Sequence, residues 1–160
     1  MNAEISPRPS GPRVGPGVAV GVTEAMIHDL VHAFYGKARH DPLLGSVFEG
    51  AVADWDAHLA KLCDFWSSVT LMTGRFHGTP MAAHAALADL GSRHFVRWLE
   101  LFRETVEEVC PPPAAELFKM LADRIGRSLQ MGIAVMRGER LLQKACPYAS
   151  ESTSPANALD

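Results

Sequence analysis

With 160 residues, 48% of them hydrophobic, the chain can build one domain with a substantial core and is too short for two to be expected. A formal charge of −3 and an isoelectric point near 6.1 leave no basic excess for gripping phosphates, so nucleic acid is not an expected partner. The chain has no run of about 18 apolar residues and no basic-then-apolar N-terminal pattern, so a cytoplasmic protein without membrane contact is expected.

Residues 1–21 carry Pro7, Pro9, Pro12 and Pro16 with Gly11, Gly15 and Gly17, and read as a flexible arm that holds no helix. Thr23 is a plausible N-cap for a first helix whose apolar positions Ile27, Leu30, Val31, Phe34, Tyr35 and Ala38 keep helical spacing until Asp41-Pro42. A short helix over 43–48 follows. Asp54 then caps a long helix, Trp55–Leu71, stopping at Thr73-Gly74, in which Trp55, His58, Leu62, Phe65, Trp66 and Val69 form one stripe. Thr79-Pro80 opens a short helix that closes on His84.

Ser92 can cap a fifth helix carrying Phe95, Trp98, Leu99, Phe102 and Val106, closed before Pro111-Pro112-Pro113, which reads as a hard break. A last helix over 114–142 shows Leu117, Leu121, Ile125, Leu129 and Met136 on one side. Residues 146–160 read as a disordered tail, which leaves 22–145 as the folded unit. The pattern is all-α. Cys63, Cys110 and Cys146 are odd in number and lack any C-x-x-C pairing, which argues against disulfides, a zinc ribbon and covalent haem attachment.

The informative residues are polar ones on inward stripes. Tyr35, His58 and Trp98 come from three different helices, and His84 ends the short one. Each unmatched buried polar group costs about 1–3 kcal/mol, and a shared ligand would satisfy all of them together. Taken singly, each residue is more often an ordinary core side chain. His28, His32, His40 and His77 read as outward or loop residues.

Order and spacing add to this. The run from Phe34-Tyr35-Gly36 through Asp41-Pro42-Leu43-Leu44 to Val47-Phe48 resembles the opening helix and turn of the truncated haemoglobins. Trp55 to Trp66, Met81-Ala82-Ala83-His84 and Phe95 to Phe102 are similar to the group III branch of that family. The likeness covers about residues 24–137, and the absence of any Gly-Gly pair also fits group III.

The resemblance implies a shortened globin fold, a two-over-two helical sandwich around a non-covalent haem b. It implies His84 as proximal iron ligand, with His94 as the competitor, and Tyr35, His58 and Trp98 as the distal set. Phe48 would wedge the haem plane, Leu62 and Phe65 would line the distal wall, and Lys61 would reach a propionate. The expected function is reversible binding of oxygen, nitric oxide or carbon monoxide by a monomer or weak dimer. The alternative is a haem enzyme with nitric oxide dioxygenase or peroxidase-like activity, fed by an external reductase.

Overall fold

The computed structural model describes residues 13–138; most of the expected arm, all of the expected tail and Cys146 lie outside the described residues. Six α-helices follow in chain order: α1 Glu24–Ala38, α2 Gly45–Ala51, α3 Trp55–Leu71, α4 Pro80–Ala85, α5 Ser92–Val109 and α6 Pro112–Met136. No strand occurs among the described residues. The helix α1 packs on α3 and on α5, α5 packs on α6, and α4 sits on α6. This is a pair of helix layers, α1/α3 over α5/α6, with α4 appended to the α6 side. None of the described helices is long and apolar enough to cross a membrane.

Local signals explain the helix starts. The Thr23 hydroxyl oxygen accepts from the Met26 N–H at 3.1 Å, and Asp54 accepts from the Ala57 N–H at 3.1 Å, so both N-caps form as the residue types dictate. The helix α3 ends at Met72, in the left-handed region at φ 58°, two residues before the glycine expected to stop it.

The structure corrects several boundaries. Pro111 is the N-cap of α6, and Pro112 and Pro113 lie in its first turn, where the lost N–H would have no partner inside the helix in any case. The triple proline therefore starts a helix. Its buried side is Ala114, Ala115, Phe118, Leu121, Ala122, Gly126 and Ile133, while Leu117, Ile125 and Leu129 are half-buried and Met136 is 57% exposed. Small residues on this face let α6 lie close to α5, so the packing follows size as well as hydropathy. Gly91, not Ser92, is the N-cap of α5, and the short second helix begins two residues later than expected.

The described end of the arm also belongs to the packed unit. Val18–Val20 form a 3-10 turn, and the Gly17 N–H donates to the Thr70 carbonyl at 2.7 Å. Gly15 and Gly17 are buried there, and a Cβ on Gly15 would come within 2.3 Å of the Thr70 oxygen. Backbone this close to the end of α3 requires glycine.

The core is divided. A large cluster joins α1, α3, α5 and α6 around Phe34, Trp66, Phe102, Val106 and Phe118. A small one, Leu90, Phe95 and Ile133, lies under α4 and its following loop, with Met81, Ala85, Leu87 and Leu129 packed against it. Phe48, Leu62, Phe65 and Trp98 edge the first cluster, Met81 and Leu129 the second, and all six are only half-buried.

Candidate functional site

Tyr35 lies on the buried face of α1, one turn before the end of the helix, with its ring enclosed on several sides. Phe34 stands edge-on at 4.8 Å between centroids, Phe48 at 5.6 Å and His58 at 5.9 Å, with Trp55 tilted at 6.3 Å. Trp55 also meets Phe48 and His58 edge-on, at 5.8 and 5.7 Å, and carries the Arg39 guanidinium 4.2 Å over its face. Such edge-to-face contacts fix ring orientation as well as burying area. Trp55 was predicted only as a stripe residue; its place beside Tyr35 and His58 makes it part of the site.

Trp98, edge-on to Phe34 at 5.4 Å, is the polar neighbour from α5 that bears on the Tyr35 hydroxyl. Burial pushes the Tyr35 hydroxyl up to about 12, and the Trp98 hydrogen bond offsets only part of that rise. The phenol therefore stays protonated across the physiological range and keeps an O–H to donate. Trp98 is held in that role by stacking on Phe102 at 5.0 Å with 7° between planes, and by the Phe34 edge at 5.4 Å. Tyr35, His58 and Trp98 are thus brought together from α1, α3 and α5.

His58 is half-buried, and its imidazole is held below its ordinary range by burial first and then by the charges of Lys61 and His84. It is neutral at pH 7, with one ring nitrogen donating and one accepting.

His84 is half-buried on α4, with its Nδ1 2.6 Å from the Pro80 carbonyl oxygen. A carbonyl can only accept, so Nδ1 carries the proton and the Nε2 lone pair is free. The partner arises locally: proline in the first turn starts the helix, and its carbonyl lies four residues before His84 on the same face. Nothing in composition signalled this bond, but the Pro-x-x-x-His spacing did contain it.

His94 has the opposite tautomer. It is 4% exposed, and its Nδ1 accepts from the Gly91 N–H at 3.0 Å, closing the start of α5. The neutral ring then carries its proton on Nε2. His94 is a helix cap, and the nitrogen left over is a donor rather than a ligand.

The walls are positioned by polar ties that sequence reading missed. Asp41, 8% exposed, accepts from the Leu43 and Leu44 N–H groups at 3.0 Å each and from Arg97 Nε at 2.7 Å. This locks the turn that leads to α2 and Phe48 onto α5, next to Trp98. Arg75 joins Glu24 at 2.7 Å and Asp64 at 3.1 Å, clasping the α3–α4 loop. Phe76, on that loop, meets Phe65 edge-on at 5.2 Å. Arg137 donates to the Leu90 carbonyl at 2.7 Å and also to the Leu87 carbonyl, fastening the loop after α4 to the end of α6. Lys61 is exposed and borders a shallow groove with Arg75, Phe76 and His77.

Among the described residues no three His, Cys, Asp or Glu side chains gather around one point, so they form no all-protein cage for a metal ion. His84 is a single, aimed donor, the kind that suits a metal whose other ligands come from a macrocycle. Phe48, Leu62, Phe65 and Trp98 beside the large cluster, and Met81 and Leu129 beside the small one, are half-buried apolar side chains of the kind that a flat, largely apolar group covers. His84 is carried by α4, whose Met81 and Ala85 pack on the small cluster, whereas Tyr35 is buried in the large cluster, with Trp98 packed against it and His58 edge-on to Tyr35.

No protein-family model matches the chain. Over 92 residues it is 33% identical to the group 3 truncated hemoglobin ctb of Campylobacter jejuni, an alignment covering 55% of this chain and 72% of the relative. Its fold superposes on the crystal structure of group III truncated hemoglobin from Campylobacter jejuni with a TM-score of 0.67 and 28% identity, across 70% of this chain and 91% of the other. With the α1/α3 over α5/α6 layers already described, these likenesses establish a shortened globin fold, and the chain belongs to the group III truncated haemoglobins.

Proposed function

We propose that this protein binds haem b without covalent attachment, with His84 as the residue that holds its iron, and reversibly binds oxygen and related diatomics. Membership of a globin family implies haem binding. The observation that carries the assignment of His84 is its Nδ1–H bond to the Pro80 carbonyl, which leaves Nε2 as the ligand atom and strengthens its electron donation. Haem held by His84 would supply an iron that takes up a diatomic ligand.

The residues on the other side set how that ligand is held. Tyr35 donates its O–H toward a ligand that gathers partial negative charge, as oxygen does, and Trp98 holds the phenol in place. His58, neutral at pH 7, donates or stands aside. Phe48, Leu62 and Phe65 exclude water from the haem faces, and Lys61 is available at the rim for a propionate. One direct donor plus a buttress supports tight holding and slow release, which suits sensing or scavenging better than delivery. We place the protein in the cytoplasm, drawing electrons from an external reductase wherever turnover requires them.

The test is the absorption spectrum of the haem-reconstituted full chain. A Soret band that shifts on adding carbon monoxide is expected, and its absence defeats the proposal. In His84→Ala the axial bond is lost, so spectra matching the parent would move the ligand elsewhere. The polar distal set also favours cleavage of a peroxide, a second reading decided by turnover with peroxide or nitric oxide against a free-haem control.

A further inference from the structure

On the outer face of α1, away from the buried stripe that carries Tyr35, His28 and His32 stand one helical turn apart with their rings stacked, 3.9 Å between centroids and 26° between planes. Both are exposed, and the His28 side chain is 62% accessible. Positions four apart on a helix are nearest neighbours on one face, so two exposed imidazoles there reach a common point once the stacked rings turn about their side-chain bonds.

The hydrogen bonds decide which nitrogen each ring offers. His32 Nδ1 lies 2.8 Å from the His28 carbonyl, which can only accept, so it carries the proton. His28 Nδ1 lies 3.4 Å from the Asp29 carboxylate oxygen and is protonated for the same reason. Both rings are therefore in the tautomer with an unprotonated Nε2. Each also has an oxygen partner on its other nitrogen, the arrangement that orients metal-bound histidines and raises their basicity. Water can complete the coordination because the site is open to solvent. The molecule contains its own control in His40, whose Nδ1 makes the same bond to the Gly36 carbonyl at 2.8 Å but which has no second imidazole one turn away.

The geometry points to a surface site for one divalent transition-metal ion of borderline softness, such as zinc, nickel or copper, chelated by His28 and His32 through Nε2. Imidazole donors select these ions over magnesium and calcium. Binding clips one turn of α1 and so stabilises the helix that also carries Tyr35.

The test is calorimetric titration of the full, haem-loaded chain with Ni2+ in a non-coordinating buffer, together with its melting temperature. One ion per chain is expected, with a rise in melting temperature on saturation. Both His28→Ala and His32→Ala should weaken binding at least about tenfold, because a chelate becomes a single donor, while His40→Ala leaves it unchanged. These are exposed helix positions where alanine preserves the fold. Affinity retained in either single variant, or lost equally in His40→Ala, overturns the assignment, as does the absence of saturable binding in the parent. None of these readouts depends on ligand binding at the haem.

Discussion

Replacing Tyr35 by Phe tests the distal arrangement most directly, because the structure separates the hydroxyl from everything else the residue does. The ring stays caged by Phe34, Phe48 and His58, at centroid distances of 4.8, 5.6 and 5.9 Å, so packing is retained and only the O–H is removed. Trp98 cannot take over, since its stacking on Phe102 and the edge of Phe34 fix the direction of the indole N–H. A hydrogen bond to a charged partner is worth about 1.5–3 kcal/mol, which corresponds to about 10- to 150-fold faster oxygen release if it is expressed fully in that step. Because burial raises the phenol to about 12, the parent donates equally at pH 6 and pH 9, and the acceleration should be the same at both. Rapid-mixing displacement of oxygen by carbon monoxide measures it. A release rate within twofold of the parent would refute Tyr35 as the principal donor. An acceleration that vanishes at the higher pH would refute the protonation state.

Other substitutions test the supporting parts. His94→Ala removes a helix cap, so denaturant unfolding should show a loss of about 1 kcal/mol while the Soret spectrum stays as in the parent; a changed spectrum would reopen the choice of ligand. Asp41→Asn loses the charge that Arg97 and two backbone N–H groups hold, and should cost about 2–3 kcal/mol at pH 7 by the same measurement. Burial raises the Asp41 carboxyl, but the bonds from Arg97, Leu44 and Leu43 outweigh it and leave the group below its ordinary 3.8. Its contribution is thus complete above that value and fades as pH falls through the lower folded value, so parent and variant should converge in strong acid. Gly15→Ala drives a Cβ into the Thr70 carbonyl and should cost about 1–3 kcal/mol through overpacking; an unchanged denaturation midpoint would mean that the segment before α1 contributes nothing to stability.

Local chemistry is what the sequence made legible. The caps Thr23 and Asp54 act within one turn, and the stripe that places Tyr35, His58 and Trp98 inward is a property of helical spacing, so both could be read before any fold was known. The Pro80 carbonyl partner of His84 was equally local, but histidine–carbonyl bonds at that spacing have no compositional marker. Contacts far apart along the chain were not legible. Arg97 to Asp41 and Arg75 to Glu24 span 56 and 51 residues, and either arginine alone looks like any solvated charge. On α6 the stripe Leu117, Leu121, Ile125 and Leu129 does pack on the core, but Met136 is exposed, and Ala114, Ala115 and Gly126 are buried for their small size, which hydropathy spacing does not weigh. Gly15 and Gly17 looked like signs of flexibility; in contact with the end of α3 they allow close approach instead.

The divided core also has a consequence for the order of assembly. The piece that carries His84 rests on three buried side chains, Leu90, Phe95 and Ile133, and on the two Arg137 tethers, whereas Tyr35 and Trp98 are rooted in the large cluster. Stability is therefore uneven, and α4 with its flanking loops forms a separate unit that opens at lower free energy than the rest. In the apoprotein its amides should exchange with solvent fastest among the helices, while α1, α5 and most of α6 stay protected. A cofactor would then need no global unfolding to enter: Tyr35 and Trp98 would already stand in the large cluster to receive it, and α4, carrying His84, would be the last helix to settle.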